Sequence, residues 1–247
     1  MTTVADHVIS TLQASGITRI YGLPGDSLNG LTDAIRRAEH FSWEHVRHEE
    51  TAGFAAAADA ALTKRLAVCA GSCGPGNLHL INGLFDAQRS RVPVLAIAAH
   101  IPQSEIGSQY FQETRPQDLF RECSVYCELV TTAESAPRVL QMAMRAAIEE
   151  NGVAVVVIPG EIFLHKTGDL RVHPVLPTHS TCRPADDELL RAATILNNSD
   201  KITILAGAGV EGAHDELVTL ADTLKAPVVH ALRGKELVEY DNPYDVG

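Results

Sequence analysis

Short apolar, β-branched runs punctuate the chain up to about residue 165: TRIYG, FSWEHV, RLAVCA, VPVLAIAA, VYCELV and GVAVVVIP. Stretches with helical periodicity, such as Ser27 to Ala38 and Ala136 to Glu150, separate most of them. Near-continuous apolar strands fit a sheet buried on both faces, and strand alternating with helix supplies the crossovers that parallel pairing needs. The pattern predicts an α/β fold with a doubly wound parallel sheet over residues 1–165.

The rhythm then stops. HKTGDLRVHPVLPTHSTCRPADDE carries Pro174, Pro177 and Pro184 without periodicity and reads as a linker over 166–184. From residue 185 a helix Ala185 to Leu196, strand KITILAG, turn GAGVEG, helix Asp215 to Leu224 and strand APVVHAL form one βαβ unit with a leading helix. One such unit cannot cover both faces of its own strands. Residues 185–247 are therefore expected to begin a second, Rossmann-like α/β domain, and the chain to be a fragment.

Composition narrows the partners. The 247 residues carry a formal net charge of −11, and the basic residues are scattered rather than striped, which disfavours a nucleic-acid partner. No apolar run approaches the roughly 20 residues of a membrane span. The opening MTTVADHVISTLQASG has no basic segment followed by an apolar one, so a cytoplasmic location is expected. Five cysteines, an odd number without a secretion signal, read as reduced thiols. Cys69 with Cys73 and Cys123 with Cys127 form two C-x3-C pairs, which lack the tight C-x2-C knuckle of zinc sites; no metal ligands are assigned.

Ligands of open parallel sheets bind beyond the carboxyl ends of the strands, which directs attention to three loops: GLPGDSLNG, RHEE and GSCGPGN. In GSCGPGN, Gly71, Gly74 and Gly76 surround Pro75 and let backbone approach a flat or anionic ligand, although a tight strand-to-helix turn explains the same residues. Gly207, Gly209 and Gly212 fit G-x-G-x-x-G between strand and helix, a weak nucleotide signal when alone. Glu49 and Glu50 stand at the start of a helix, where carboxylates interact favourably with the positive end by about 0.3–1 kcal/mol each. That accounts for one carboxylate well and for two less well. The helix that follows, TAGFAAAADAAL, has small residues on every face and suits close approach by another backbone or subunit.

In combination, GDSLNGL, RHEE-x-x-x-FAA, CAGSCGPGNLHLINGLFDA, VPVLAIAAHIP, EIGSQYFQET and HALRGKE-x-VEYDNPYDVG resemble the thiamine diphosphate enzymes, most closely the quinone-reducing pyruvate oxidases. The resemblance runs from about Ala5 to Gly247 and is weakest in the linker. It implies that residues 1–165 are the domain that binds the aminopyrimidine ring, and that residues 185–247 begin the central FAD-binding-type domain. Glu49 matches the glutamate that hydrogen-bonds the pyrimidine nitrogen and favours its imino tautomer; Glu50 is left as the helix-end residue. Pro24, Gly25, Pro75, Gly76 and His79 fall on the pyrimidine side, and Phe111 and Gln112 near the substrate. Read by pattern alone, His79 is a half-buried helix residue.

The implied activity of the complete enzyme is oxidative decarboxylation of pyruvate with thiamine diphosphate, FAD and Mg2+, electrons passing to a quinone. The metal and diphosphate ligands are expected in a third domain, and the fragment alone to be inactive. The resemblance also implies a homodimer or homotetramer, and peripheral contact with the cell membrane through other parts of the full-length protein. An acetolactate synthase-like carboligase is the alternative enzyme, and a non-catalytic pyrimidine-domain module that pairs with a partner chain is the alternative outside catalysis.

Overall fold

A computed structural model describes residues 2–168, 171–177 and 182–247. The chain divides into two compact units, Met1–His179 and Ser180–Gly247.

The first unit is built on β1 (Arg19–Gly22), β2 (Ser42–His45), β3 (Ala67–Gly71), β4 (Val94–His100), β5 (Tyr126–Leu129) and β6 (Val153–Pro159). These pair entirely in parallel in the order β2-β1-β3-β4-β6-β5. Its helices are α1 (Val4–Ala14), α2 (Asn29–Arg37), α3 (Glu49–Thr63), α4 (Pro75–Ser90), the single turn α5 (Pro116–Leu119) and α6 (Ala136–Glu150). The doubly wound sheet expected from the sequence is present.

The period of two along each strand sorts the core into two layers. Val68, Ala70, Leu95, Ile97, Val156 and Ile158 face α1, α2 and α6, whereas Cys69, Ala96, Ala98, Val155 and Val157 face α3 and α4. Strands β3, β4 and β6 are buried throughout, which explains their unbroken apolar sequences. Edge strand β2 differs: Ser42, Glu44 and His45 are exposed, so the FSWEHV run covers only one side of a strand.

Helix starts follow their sequences. Thr3 and Asp6 form a capping box on α1, the Asp6 amide donating to Thr3 Oγ1 and the Thr3 amide to Asp6 Oδ2. Helices α3 and α4 meet through glycine. A Cβ on Gly83 would lie 2.6 Å from the Phe54 amide nitrogen and 2.7 Å from the Gly53 Cα. The close approach suggested by the small-residue helix is thus met within the chain, by the backbone of α4.

Part of the segment read as a linker lies along the first unit. Thr3 and Lys166 form an antiparallel bridge, the Val175 amide donates to Ser15 Oγ at 2.9 Å, and the Val175 side chain joins the α1 layer of the core.

The second unit holds α7 (Asp186–Asn197), β7 (Ile204–Ala206), α8 (His214–Leu224), β8 (Val228–His230) and the short α9 (Lys235–Val238), with β7 and β8 paired in parallel. Its core is small: Ala206, Leu217, Ala221, Val228 and Val238. Helix α7 buries no residue, and Leu190, Leu205 and Leu232 are exposed.

Candidate active site

Strand order fixes where the loops converge. From β1 the chain steps outward to β2, then crosses back to β3 on the other side, so the loops after β1 and β3 diverge to opposite faces and leave a crevice. The two loops are tied across it. Cys73 N donates to Ser27 Oγ at 2.9 Å, and a Cβ on Gly25 would stand 2.6 Å from Ser72 Cβ. Gly25 is needed for this packing rather than for its backbone angle, since its φ of −159° is ordinary extended backbone. Neighbouring Pro24 is exposed at the crevice edge.

The GSCGPGN turn is held from several sides. Gly74 has φ +66°, the left-handed region that glycine enters without strain, and Pro75 begins α4 at a position where its missing N–H costs nothing. Asn77 is buried and donates from Nδ2 to the Ala99 carbonyl at 2.8 Å, locking the first turn of α4 to β4. A Cβ on Gly76 would stand 2.6 Å from Ser72 Oγ and 3.0 Å from Glu49 Oε1. The carboxylate of α3 therefore lies directly over the Gly76 backbone.

Glu49 is only 5% exposed, an unusual position for a carboxylate. Its Oε2 is 3.1 Å from His79 Nδ1. Its Oε1, over Gly76, takes no donor among the described contacts. Glu50 diverges from it, as expected for consecutive residues, and accepts a hydrogen bond from Asn82 Nδ2 of α4. The cap of α3 is neither carboxylate but His48, whose Nδ1 accepts from the Glu50 amide at 3.3 Å. Glu50 is thus the helix-end residue expected from the sequence, in the first turn of α3, and its carboxylate also reaches α4. The His48 ring also stacks on His79, centroids 4.3 Å apart. His48, Glu49, Glu50, His79 and Asn82 thus form one polar seam along α3 and α4. RHEE pointed to the first three, but nothing in sequence spacing marks Asn82.

The loop after β4 brings a second group to the turn. Cys73 Sγ donates to Gln112 Oε1 at 3.3 Å, and a Cβ on Gly74 would meet Gln112 Cβ at 2.7 Å. Phe111, beside it, is 79% exposed. Both line a cleft of about 440 Å3 with Asp26, His100, Tyr110 and Glu161. Burial pushes the His100 imidazole below its ordinary pKa, against the opposing pull of Glu113 and Glu161. Glu49 and Gln112 therefore flank the same glycine turn from opposite ends, Gly76 and Gly74.

The remaining sequence-derived candidates lie apart. Cys69, Cys123 and Cys127 sit in the α3–α4 layer, and burial holds their thiols up to about 12, 11 and 12 respectively, whereas Cys73 turns to Gln112. Among the described residues no group of three His, Cys, Asp or Glu side chains is arranged to hold a metal. Gly207 and Gly209 follow β7, and a Cβ at either would meet nothing within 4 Å, so packing within the unit does not require glycine there. In Gly212 the φ of +77° does. Among the described residues no helix is long and apolar enough to cross a membrane.

Residues 2–119 match the thiamine pyrophosphate enzyme N-terminal TPP binding domain, and residues 189–247 match the thiamine pyrophosphate enzyme central domain. An uncharacterized 42.6 kDa protein in the isoamylase 3′ region of Pseudomonas amyloderamosa is 60% identical over 253 residues, covering 100% of this chain and 63% of that protein. Pyruvate oxidase of Lactiplantibacillus plantarum is 33% identical over 249 residues, 97% of this chain and 40% of the oxidase. Acetolactate synthase isozyme 2 large subunit of Escherichia coli is 32% identical over 249 residues, 98% and 44% respectively. The chain thus spans about half the length of these relatives, and what it matches in each includes the buried glutamate's domain. With a parallel doubly wound sheet, a glycine turn at its switch point and both domain matches in sequence order, the chain belongs to the thiamine pyrophosphate enzymes.

Proposed function

We propose that the complete protein decarboxylates pyruvate oxidatively to acetate and CO2, using thiamine diphosphate and FAD and passing electrons to a quinone. The observation that carries this reading is Glu49: a buried carboxylate with one oxygen committed to His79 and the other presented above Gly76. A ring nitrogen laid against the turn would meet that oxygen. Pro24, Gly25, Pro75 and Gly76 then offer backbone and small surfaces to a flat ring, and His79 holds the carboxylate in place. When bound, thiamine diphosphate supplies the electron sink that makes loss of CO2 from a 2-keto acid feasible.

Glu49 acts by holding a proton between its free oxygen and the ring, in a site shielded from water by Ser72 and the crossing helices. Gln112 presents its amide nitrogen to a substrate carboxylate while its oxygen is held by Cys73, and Phe111 gives a methyl group an apolar neighbour. Gly207 and Gly209 are assigned to FAD. Magnesium and the diphosphate are assigned to no residue of this chain. A homodimer or homotetramer, a cytoplasmic location and peripheral membrane contact complete the reading.

The likeness to acetolactate synthases supports a second reading, carboligation of two keto acids with the same Glu49 chemistry. A pyrimidine-domain module pairing with a partner chain is the non-catalytic reading. One experiment separates the three. The full-length protein, reconstituted with thiamine diphosphate, FAD and Mg2+ and mixed with pyruvate without acceptor, should bleach the flavin and release acetate and CO2. Acetolactate with an unbleached flavin favours the carboligase, and no turnover favours the module.

A further inference from the structure

In the loop after β4, beyond the buried Ile101, the large apolar side chains Ile106, Tyr110 and Phe111 are all exposed. Carboxylates hold this loop instead. At its start the Gln103 amide donates to Glu161 Oε1 at 2.8 Å, anchoring the loop to the end of β6. At its far end Glu113 turns back, and its two oxygens accept from the Gly107 amide at 2.6 Å and the Tyr110 amide at 3.1 Å. Between these contacts the backbone is left-handed at Gly107, Gln109 and Gln112, with φ of 90°, 62° and 65°. Glycine adopts that region freely, but the two glutamines do so only when their surroundings hold them.

We propose that Glu113 is the positioning residue of this active site, its carboxylate setting where Phe111 and Gln112 stand against the GSCGPGN turn. The proposal rests on the assignment of those two residues to the substrate. Glu113 follows them directly, so the bonds it makes to Gly107 and Tyr110 close a small ring of backbone from which Phe111 and Gln112 project. Gln112 is held as well by side-chain contact with Cys73, by packing on Gly74 and by the turn that the Glu113 amide closes on the Tyr110 carbonyl at 2.9 Å. The Gly107 amide, foremost, and the Gln109 and Tyr110 amides keep the Glu113 carboxyl below its usual range, so it is fully charged at neutral pH and accepts from both ends of the turn. Substrate-contacting groups displaced by an ångström lose much of their effect, which makes such a clasp kinetically visible.

The test uses Glu113→Ala and Glu113→Gln. In the 247-residue chain, hydrogen exchange at the Gly107 and Tyr110 amides should speed up by about tenfold or more in Glu113→Ala, partly recover in Glu113→Gln, and stay unchanged at the Asn77 amide. In the full-length enzyme Glu113→Ala should raise KM for pyruvate by about tenfold with the bound FAD and thiamine diphosphate undiminished, and Glu113→Gln should restore part of it. Unchanged exchange at both amides in Glu113→Ala overturns the proposal. So does an unchanged KM in an enzyme that turns pyruvate over. If the wild-type protein does not use pyruvate, the proposed function falls, and the exchange measurement alone decides whether Glu113 holds the loop.

Discussion

Gly53 and Gly83 touch backbone to backbone one helical turn beyond Glu49 and His79, so the spacing of α3 and α4 that brings the carboxylate within 3.1 Å of the imidazole is set by two missing side chains. A Cβ at Gly83 would meet Phe54 N at 2.6 Å and the Gly53 carbonyl carbon at 2.7 Å, all of it backbone that cannot swing aside. Gly83→Ala is expected to push the helices apart, destabilising the first unit by about 1–3 kcal/mol. It should also loosen the Glu49–His79 contact. Urea unfolding gives the first quantity, and the His79 ring resonances report the second.

A bidentate ion pair holds the same helix to the sheet. Arg19 of β1 donates through Nε at 2.9 Å and Nη2 at 2.7 Å to Asp59 of α3, and the Tyr21 hydroxyl adds a third bond at 3.2 Å. Asp59 is largely enclosed while Arg19 is 42% exposed, so removing the base leaves an enclosed carboxylate with only the Tyr21 hydroxyl, whereas removing the acid leaves a guanidinium that water can reach. Arg19→Ala should cost about 1–2 kcal/mol and Asp59→Ala less. Equal costs in denaturant melts would contradict the asymmetry.

Two buried histidines make stability depend on pH. Burial lowers the pKa of His7 in α1, with His173 adding to the shift, and burial also lowers that of His100 at the end of β4. The unfolded chain therefore takes up protons near the ordinary value of 6.5 before the folded one does. Their contribution is fully present above that value and is lost as pH falls through the lowered folded pKa values. Melting temperature should drop between pH 7 and 5, and drop less in His7→Asn/His100→Gln. A flat profile in the parent chain would contradict this.

Apolar runs made all six strands of the main sheet legible because β3, β4 and β6 are covered on both faces. The exposed side of β2 was not legible, since Phe41 and Trp43 lend the FSWEHV run an apolar character that its edge position does not share. Glu49 stood out because two adjacent carboxylates exceed what one helix end needs, and its burial supplies the reason. The partners of Glu49 and Glu50, His79 and Asn82 respectively, were less accessible. His79 and Asn82 come from α4, about thirty residues away, and their register against α3 depends on the Gly53–Gly83 contact, which no local pattern encodes. Glu113 was equally hidden. Its bonds go to backbone amides, which have no residue signature.

In the proposed function Glu49, and not Glu50, holds the working proton. Glu49→Gln keeps the size of the side chain while removing its charge, and Glu50→Gln does the same to a carboxylate that serves Asn82 and the start of α3. Hydrogen–deuterium exchange at thiamine C2, followed by NMR in the full-length protein with thiamine diphosphate and Mg2+, compares them directly. Exchange should be slowed by about a hundredfold or more in Glu49→Gln and stay close to wild type in Glu50→Gln. Wild-type exchange in a folded, cofactor-bound Glu49→Gln protein would contradict it.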